Sequence, residues 1–100
     1  MLDLNKLKQQ SYNISKQREA KEPKLKTKTM ELLKYCAGEV IEAQEAYTRY
    51  VFSSYQEPDD FPAELADIIN CVLIIAGLEN IDIEDALIKC IEKNELRAKS

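Results

Sequence analysis

Five acidic residues set the chemistry that this 100-residue chain could do: Glu39, Glu42 and Glu45, then Glu64 and Asp67. Carboxylates three residues apart on a helix share a face, so Glu39 with Glu42 and Glu64 with Asp67 each form a pair. The second pair lies in an almost wholly apolar run, from Ala63 through Ala76. A helix apolar on nearly every side is expected to be buried, and a bare carboxylate there is costly unless a cation compensates it. If the two pairs face one another, acidic oxygens converge in the way that a hard divalent cation such as Mg²⁺ or Mn²⁺ requires. The competing readings are ordinary ones: Glu42 and Glu45 as surface glutamates near Arg49, and Glu64 as a first-turn glutamate favoured by the helix dipole. Asp67 sits a turn deeper, where aspartate is a poor helix former, and resists that reading.

The elements that would position these groups are helices. Leu4, Leu7, Tyr12 and Ile14 give a loose apolar stripe to a first helix over Leu2 to about Ala20, broken at Glu22-Pro23. Lys24, Lys26 and Lys28 form a basic connector. A second helix is expected from near Thr29 to about Phe52, with Leu32, Leu33, Cys36, Ala37, Val40, Ala43 and Tyr47 on one broad face. Glu39 falls at the edge of that face, and Glu42 about 60° further round. Gly38 costs this helix roughly 1 kcal/mol, and marks either a tolerated small residue or a close approach of backbone or ligand. Ser53 to Asp60 reads as a loop, Pro62 as a first-turn proline, and the third helix as running to about Ala76 with Gly77 closing it. Asp82 reads as an N-cap with Asp85 three residues on, and the last helix carries Ile83, Ala86, Leu87, Cys90 and Ile91 inward. The expected fold is all-α: a small single-domain helical bundle, with an N-terminal helix and connector over 1–28 and a metal-binding core over 29–100. A core this thin is expected to be completed by oligomerisation.

Composition narrows the function classes. Net charge is -4, with nine basic and four acidic residues up to Lys34 and five basic and fourteen acidic after it. That balance argues against nucleic acid as the main partner, and the basic residues Lys16, Arg18, Lys21, Lys24, Lys26 and Lys28 carry no reader motif. The absence of histidine removes histidine-ligated zinc and the Ser-His-Asp triad. Three cysteines, Cys36, Cys71 and Cys90, read as buried thiols in a reducing, cytoplasmic setting rather than a disulfide framework. The Leu65–Leu78 run, with Asp67 and Asn70 inside it, is too short and polar to cross a bilayer.

Gly38-Glu39-Val40-Ile41-Glu42-Ala43-Gln44-Glu45, followed by Glu64-Leu65-Ala66-Asp67, resembles the ExxE…ExxD signature of MazG-like nucleotide pyrophosphohydrolases. This is the all-α NTP pyrophosphatase superfamily, which includes dCTP pyrophosphatases and dimeric dUTPases. The turn from Gly77 to Asp82 and the terminal Asn94-Glu95-Leu96-Arg97 resemble the family's closing segment, so the likeness spans about Leu32 to Arg97. It implies a homodimer or homotetramer that hydrolyses a (deoxy)nucleoside triphosphate to the monophosphate and pyrophosphate. Glu39, Glu42, Glu64 and Asp67 would be its Mg²⁺ ligands and catalytic carboxylates, with Asn94, Arg97 and Lys93 toward the substrate. Two departures stand out. Cys90 occupies the place where the family commonly has a lysine, leaving Lys89 or Lys93 about 100° to either side. Tryptophan is absent, leaving Tyr12, Tyr47 or Tyr55 as stacking alternatives. The alternative function is a non-catalytic oligomerisation or regulatory module that keeps the fold.

Overall fold

The computed structural model describes residues 2–21, 29–52 and 60–100, and among these every regular element is a helix. The basic connector through Lys28 and the 53–59 segment with Tyr55 lie outside the described residues. The helices are α1 (Leu4–Lys21), α2 (Thr29–Phe52), α3 (Asp60–Leu78) and α4 (Ile83–Lys99). Helix α3 packs on α2 along one side and on α1 along another, while α4 packs on α1.

Local chemistry sets the ends. The Asp3 carboxylate accepts from the Lys6 N–H at 3.1 Å and starts α1. Asp60, expected in the loop, is already helical, two residues ahead of Pro62. The closure of α3 differs from expectation. Gly77 continues the helix, and Asn80 takes the left-handed conformation (φ 54°). The Ile81 N–H then reaches the Ala76 carbonyl at 2.8 Å and the Asn80 N–H that of Gly77 at 3.3 Å, a Schellman closure. Gly77 is needed for another reason: a Cβ there would lie 2.5 Å from the Tyr12 Cβ, so its lack of a side chain lets α1 approach α3.

On α2 the inward stripe is Thr29, Leu32, Cys36, Glu39, Ala43 and Ala46, a 3–4 spacing narrower than expected. Leu33, Ala37, Val40 and Tyr47, assigned to that face by sequence, are exposed, and Glu39 stands inside the stripe and not at its edge. Among the described residues the buried apolar core is Ala43, Ala46, Cys71, Leu73 and Ala76, and no large side chain is completely enclosed. Small residues let α2, α3 and α1 come close, but cover little of their neighbours. The radius of gyration is 16.1 Å, against about 13 Å for a compact domain of this length.

Helix α4 corrects a second expectation. Ile83 is half-buried, whereas Ala86, Leu87, Cys90 and Ile91 are exposed together with Ile88 and Leu96. Among the described residues α1 is its one extensive neighbour, and the apolar side of α4 stays exposed. The third correction concerns α3: counted from Phe61, the stretch to Leu78 is long and apolar enough by composition to cross a bilayer. Its Cys71, Leu73 and Ala76 are nevertheless buried against the other helices, and Glu64 and Asp67 meet an α2 carboxylate.

The α3–α4 turn is held by α1. Asn5 donates to the Asp82 carboxylate at 2.9 Å, and Lys8 Nζ donates to the Ile81 carbonyl at 2.8 Å. Asp82 also accepts from the Asp85 N–H at 3.0 Å, the cap expected from sequence. The Asn5 amide, then the Asp85 N–H, hold the Asp82 carboxyl below the usual carboxylate range. A depressed folded-state pKa stabilises the fold above the ordinary aspartate value, and that contribution is lost as pH falls through the lowered one. Replacing Asp82 by Asn is therefore expected to flatten the acid side of the thermal-midpoint profile. An unchanged profile would show that the Asn5–Asp82 contact carries no stability.

Candidate active site

Glu39 comes from the middle of α2, and Glu64 and Asp67 from the first half of α3. The two helices run antiparallel in a register marked by Tyr47 against Phe61 at one end, with ring centroids 5.2 Å apart edge to face. Further along, the Cys71 thiol donates to the Leu32 carbonyl at 3.4 Å. Beyond that, the Thr29 hydroxyl donates to the Glu79 carboxylate. This register places one carboxylate oxygen from each of Glu39, Glu64 and Asp67 within 4.8 Å of one another.

The three differ in burial, and not in the order expected. Glu39 is 7% exposed and is the buried acid of the group. Glu64 is half-buried, and Asp67 is exposed. The reason is rotational: Glu39 shares a stripe with Cys36 and Ala43, whereas Asp67 lies one helical step off the line of Glu64, Ile68 and Cys71. Oε2 of Glu39 has no hydrogen-bond partner among the described residues. A buried, unpartnered carboxylate oxygen beside two more carboxylates is unfavourable in the absence of a cation. The donor set is oxygen only, which suits Mg²⁺ or Mn²⁺.

Glu39, one turn on from Tyr35, raises the phenol's pKa, first by hydrogen bonding and then by its negative charge, with desolvation and then Glu42 adding to it. Sequence reasoning did not single Tyr35 out, although its i, i+4 relation to Glu39 places both on one face. Glu42 and Glu45 are exposed, and the carboxylate group formed by Glu39, Glu64 and Asp67 does not include them. Among the described residues nothing stands within 4 Å of the position of a Cβ on Gly38, so none of their backbone approaches it.

The α4 residues are placed differently. Lys93, Asn94 and Arg97 are exposed on α4, which has no extensive packing against α2 or α3. Asn94 Nδ2 stands 3.8 Å from the Cys90 sulfur. Lys89 is engaged by Asp85 at 2.9 Å, one turn back on the same helix. Tyr12 is spent on the α1–α3 packing and Tyr47 on Phe61. Of the cysteines, Cys71 is buried, Cys36 half-buried and Cys90 exposed, which corrects the expectation of three buried thiols.

The family model of the MazG nucleotide pyrophosphohydrolase domain matches residues 27–100. The chain belongs to that family. The matched region begins just ahead of α2 and contains all three converging carboxylates, so the site described above lies wholly within the MazG domain. Helix α1 precedes it and supports it from outside, through Tyr12 on α3 and through Asn5 and Lys8 on the turn into α4. Comparisons with curated proteins and with solved structures gave no match.

Proposed function

We propose that this MazG domain hydrolyses a (deoxy)nucleoside triphosphate between the α and β phosphates, giving the monophosphate and pyrophosphate in a Mg²⁺-dependent reaction. The observation that carries the reading is Glu39: a buried acid with an unpartnered oxygen, meeting Glu64 and Asp67. These three residues would hold Mg²⁺, or Mn²⁺, which when bound neutralises phosphate charge and acidifies a water molecule. The chain's own residues do the rest. Tyr35, one turn before Glu39, is a polar neighbour of its carboxylate. Asp67 and Glu42, both exposed, are the carboxylates open to a substrate and to the proton of an attacking water. Lys93, Asn94 and Arg97 supply donors for triphosphate oxygens, arginine being the group suited to two-point contact.

The proposal includes a homodimer or homotetramer. Val40, Ile41 and Val51 on α2, Leu65, Ile69 and Val72 on α3, and Leu87, Ile88 and Ile91 on α4 are large and exposed. A second copy of the chain would remove that surface from water. The free thiols fit a cytoplasmic protein. A second reading, a non-catalytic helical module, is favoured by Cys90 in the expected lysine place and by α4 having no extensive packing on the carboxylate helices among the described residues.

Pyrophosphate release from a panel of canonical and modified nucleoside triphosphates, with Mg²⁺, Mn²⁺ and EDTA, separates the two. Release of pyrophosphate in place of orthophosphate, lost in EDTA, is the expected result. Silence across the panel without metal binding would favour the module.

A further inference from the structure

The α2–α3 seam carries a second chemical feature that the carboxylates do not use. The register set by Tyr47–Phe61 and Thr29–Glu79 brings Cys36 on α2 opposite Cys71 on α3, half-buried and buried, one helical turn from Glu39 and Asp67 respectively. The Cys71 sulfur lies 3.4 Å from the carbonyl of Leu32, the peptide group one turn before Cys36. Two thiols placed opposite each other on neighbouring helices become a disulfide by closing to a bond of about 2 Å. Glu39 adds negative charge beside them.

We propose that Cys36 and Cys71 are a redox-modification site: a reversible disulfide, formed by a small disulfide oxidant such as oxidised glutathione, that staples α2 to α3 beside the carboxylate group. Cys36 reacts first because it is half-buried, whereas Cys71 is enclosed. Its thiolate attacks one sulfur of the oxidant, the oxidant's S–S bond breaks, and one glutathione thiolate leaves with the proton that Cys36 gave up. Cys71 then attacks the Cys36 sulfur of the mixed disulfide, expels the second glutathione thiolate and transfers its proton to it. Two protein thiols are oxidised by two electrons, and one glutathione disulfide is reduced to two thiols.

The test uses the full chain carrying Cys90→Ser, which removes the exposed thiol able to join two copies. It is equilibrated without oxygen in glutathione buffers of graded redox ratio, acid-quenched, alkylated while denatured and weighed by mass spectrometry. The expected product is a monomeric species two hydrogens lighter that takes up no alkylating agent. It reverts with dithiothreitol, has a higher thermal midpoint than the reduced chain, and is absent from Cys36→Ser/Cys90→Ser. Two alkylated thiols at every ratio, a stable glutathione adduct on Cys36 with Cys71 alkylated, or disulfide-linked copies would each overturn the proposal. None of these readouts depends on the chain's having pyrophosphohydrolase activity.

Discussion

Glu39→Gln is expected to lower metal-dependent pyrophosphate release by about a hundredfold or more, the scale seen when one preorganised charged group is lost from a site. The fold should survive. Glutamine has the same shape, keeps an oxygen to accept from Tyr35, and removes one of three crowded negative charges. In EDTA the variant's thermal midpoint is therefore expected to equal or exceed that of the parent chain. Metal reverses the order: a ligand at a hundredfold excess over its dissociation constant stabilises the parent by about 2.7 kcal/mol, and should do little for the variant. Thermal scans with and without Mg²⁺, beside the pyrophosphate assay, read both halves. Undiminished turnover would remove Glu39 from the site.

Gly77→Ala is expected to have the largest effect on stability. The added Cβ would meet Tyr12 at 2.5 Å from its Cβ, 2.9 Å from its Cγ and 3.1 Å from its Cδ1. The Cβ of Tyr12 belongs to the stem of the side chain and moves only with the backbone of α1. Overpacking of this kind costs about 1–3 kcal/mol, set against roughly 1 kcal/mol gained from alanine's helix propensity. Displacing α1 also pulls on Asn5 and Lys8, so the α3–α4 turn loosens with it. Gly38→Ala should do the opposite. Nothing lies within 4 Å of its Cβ position, so the propensity gain, about 0.5–1 kcal/mol, is not offset. Urea titrations of the two variants should move to opposite sides of the parent. If Gly77→Ala matched Gly38→Ala, the close approach of α1 to α3 would be wrong.

The helices were legible because periodicity and punctuation agreed. Thr29 and Phe52 were found as the ends of α2, and Asp82 with Asp85 as the cap of α4, each from side chains with a local mechanism. The end of α3 was misread for the same reason: a glycine in the right place suggested a left-handed closure that Asn80 supplies. Burial was less legible. Apolar periodicity marks a face that prefers to leave water, but not whether the chain has a neighbour to cover it, and α4 has only α1. In the site, the residue types and pairing gave the chemistry, while the depth of each acid depended on the rotation of α2 against α3. The sequence suggested Asp67 as the buried charge from its flanks Ala66, Ile68 and Ile69, yet Ala66 and Ile69 are exposed and Ile68 only half-buried.

The bareness of α4 also has a consequence for the order in which the molecule comes apart. A 17-residue helix with no buried residue is held by its cap, its i, i+4 Asp85–Lys89 pair and its edge on α1. It should therefore open as its own cooperative unit, well before the α2–α3 pair, and its amide protons should exchange first. If a second copy covers it, that exchange slows as protein concentration rises while the α2–α3 amides keep their rate. The last helix then becomes the chain's internal gauge of how many of its copies are together.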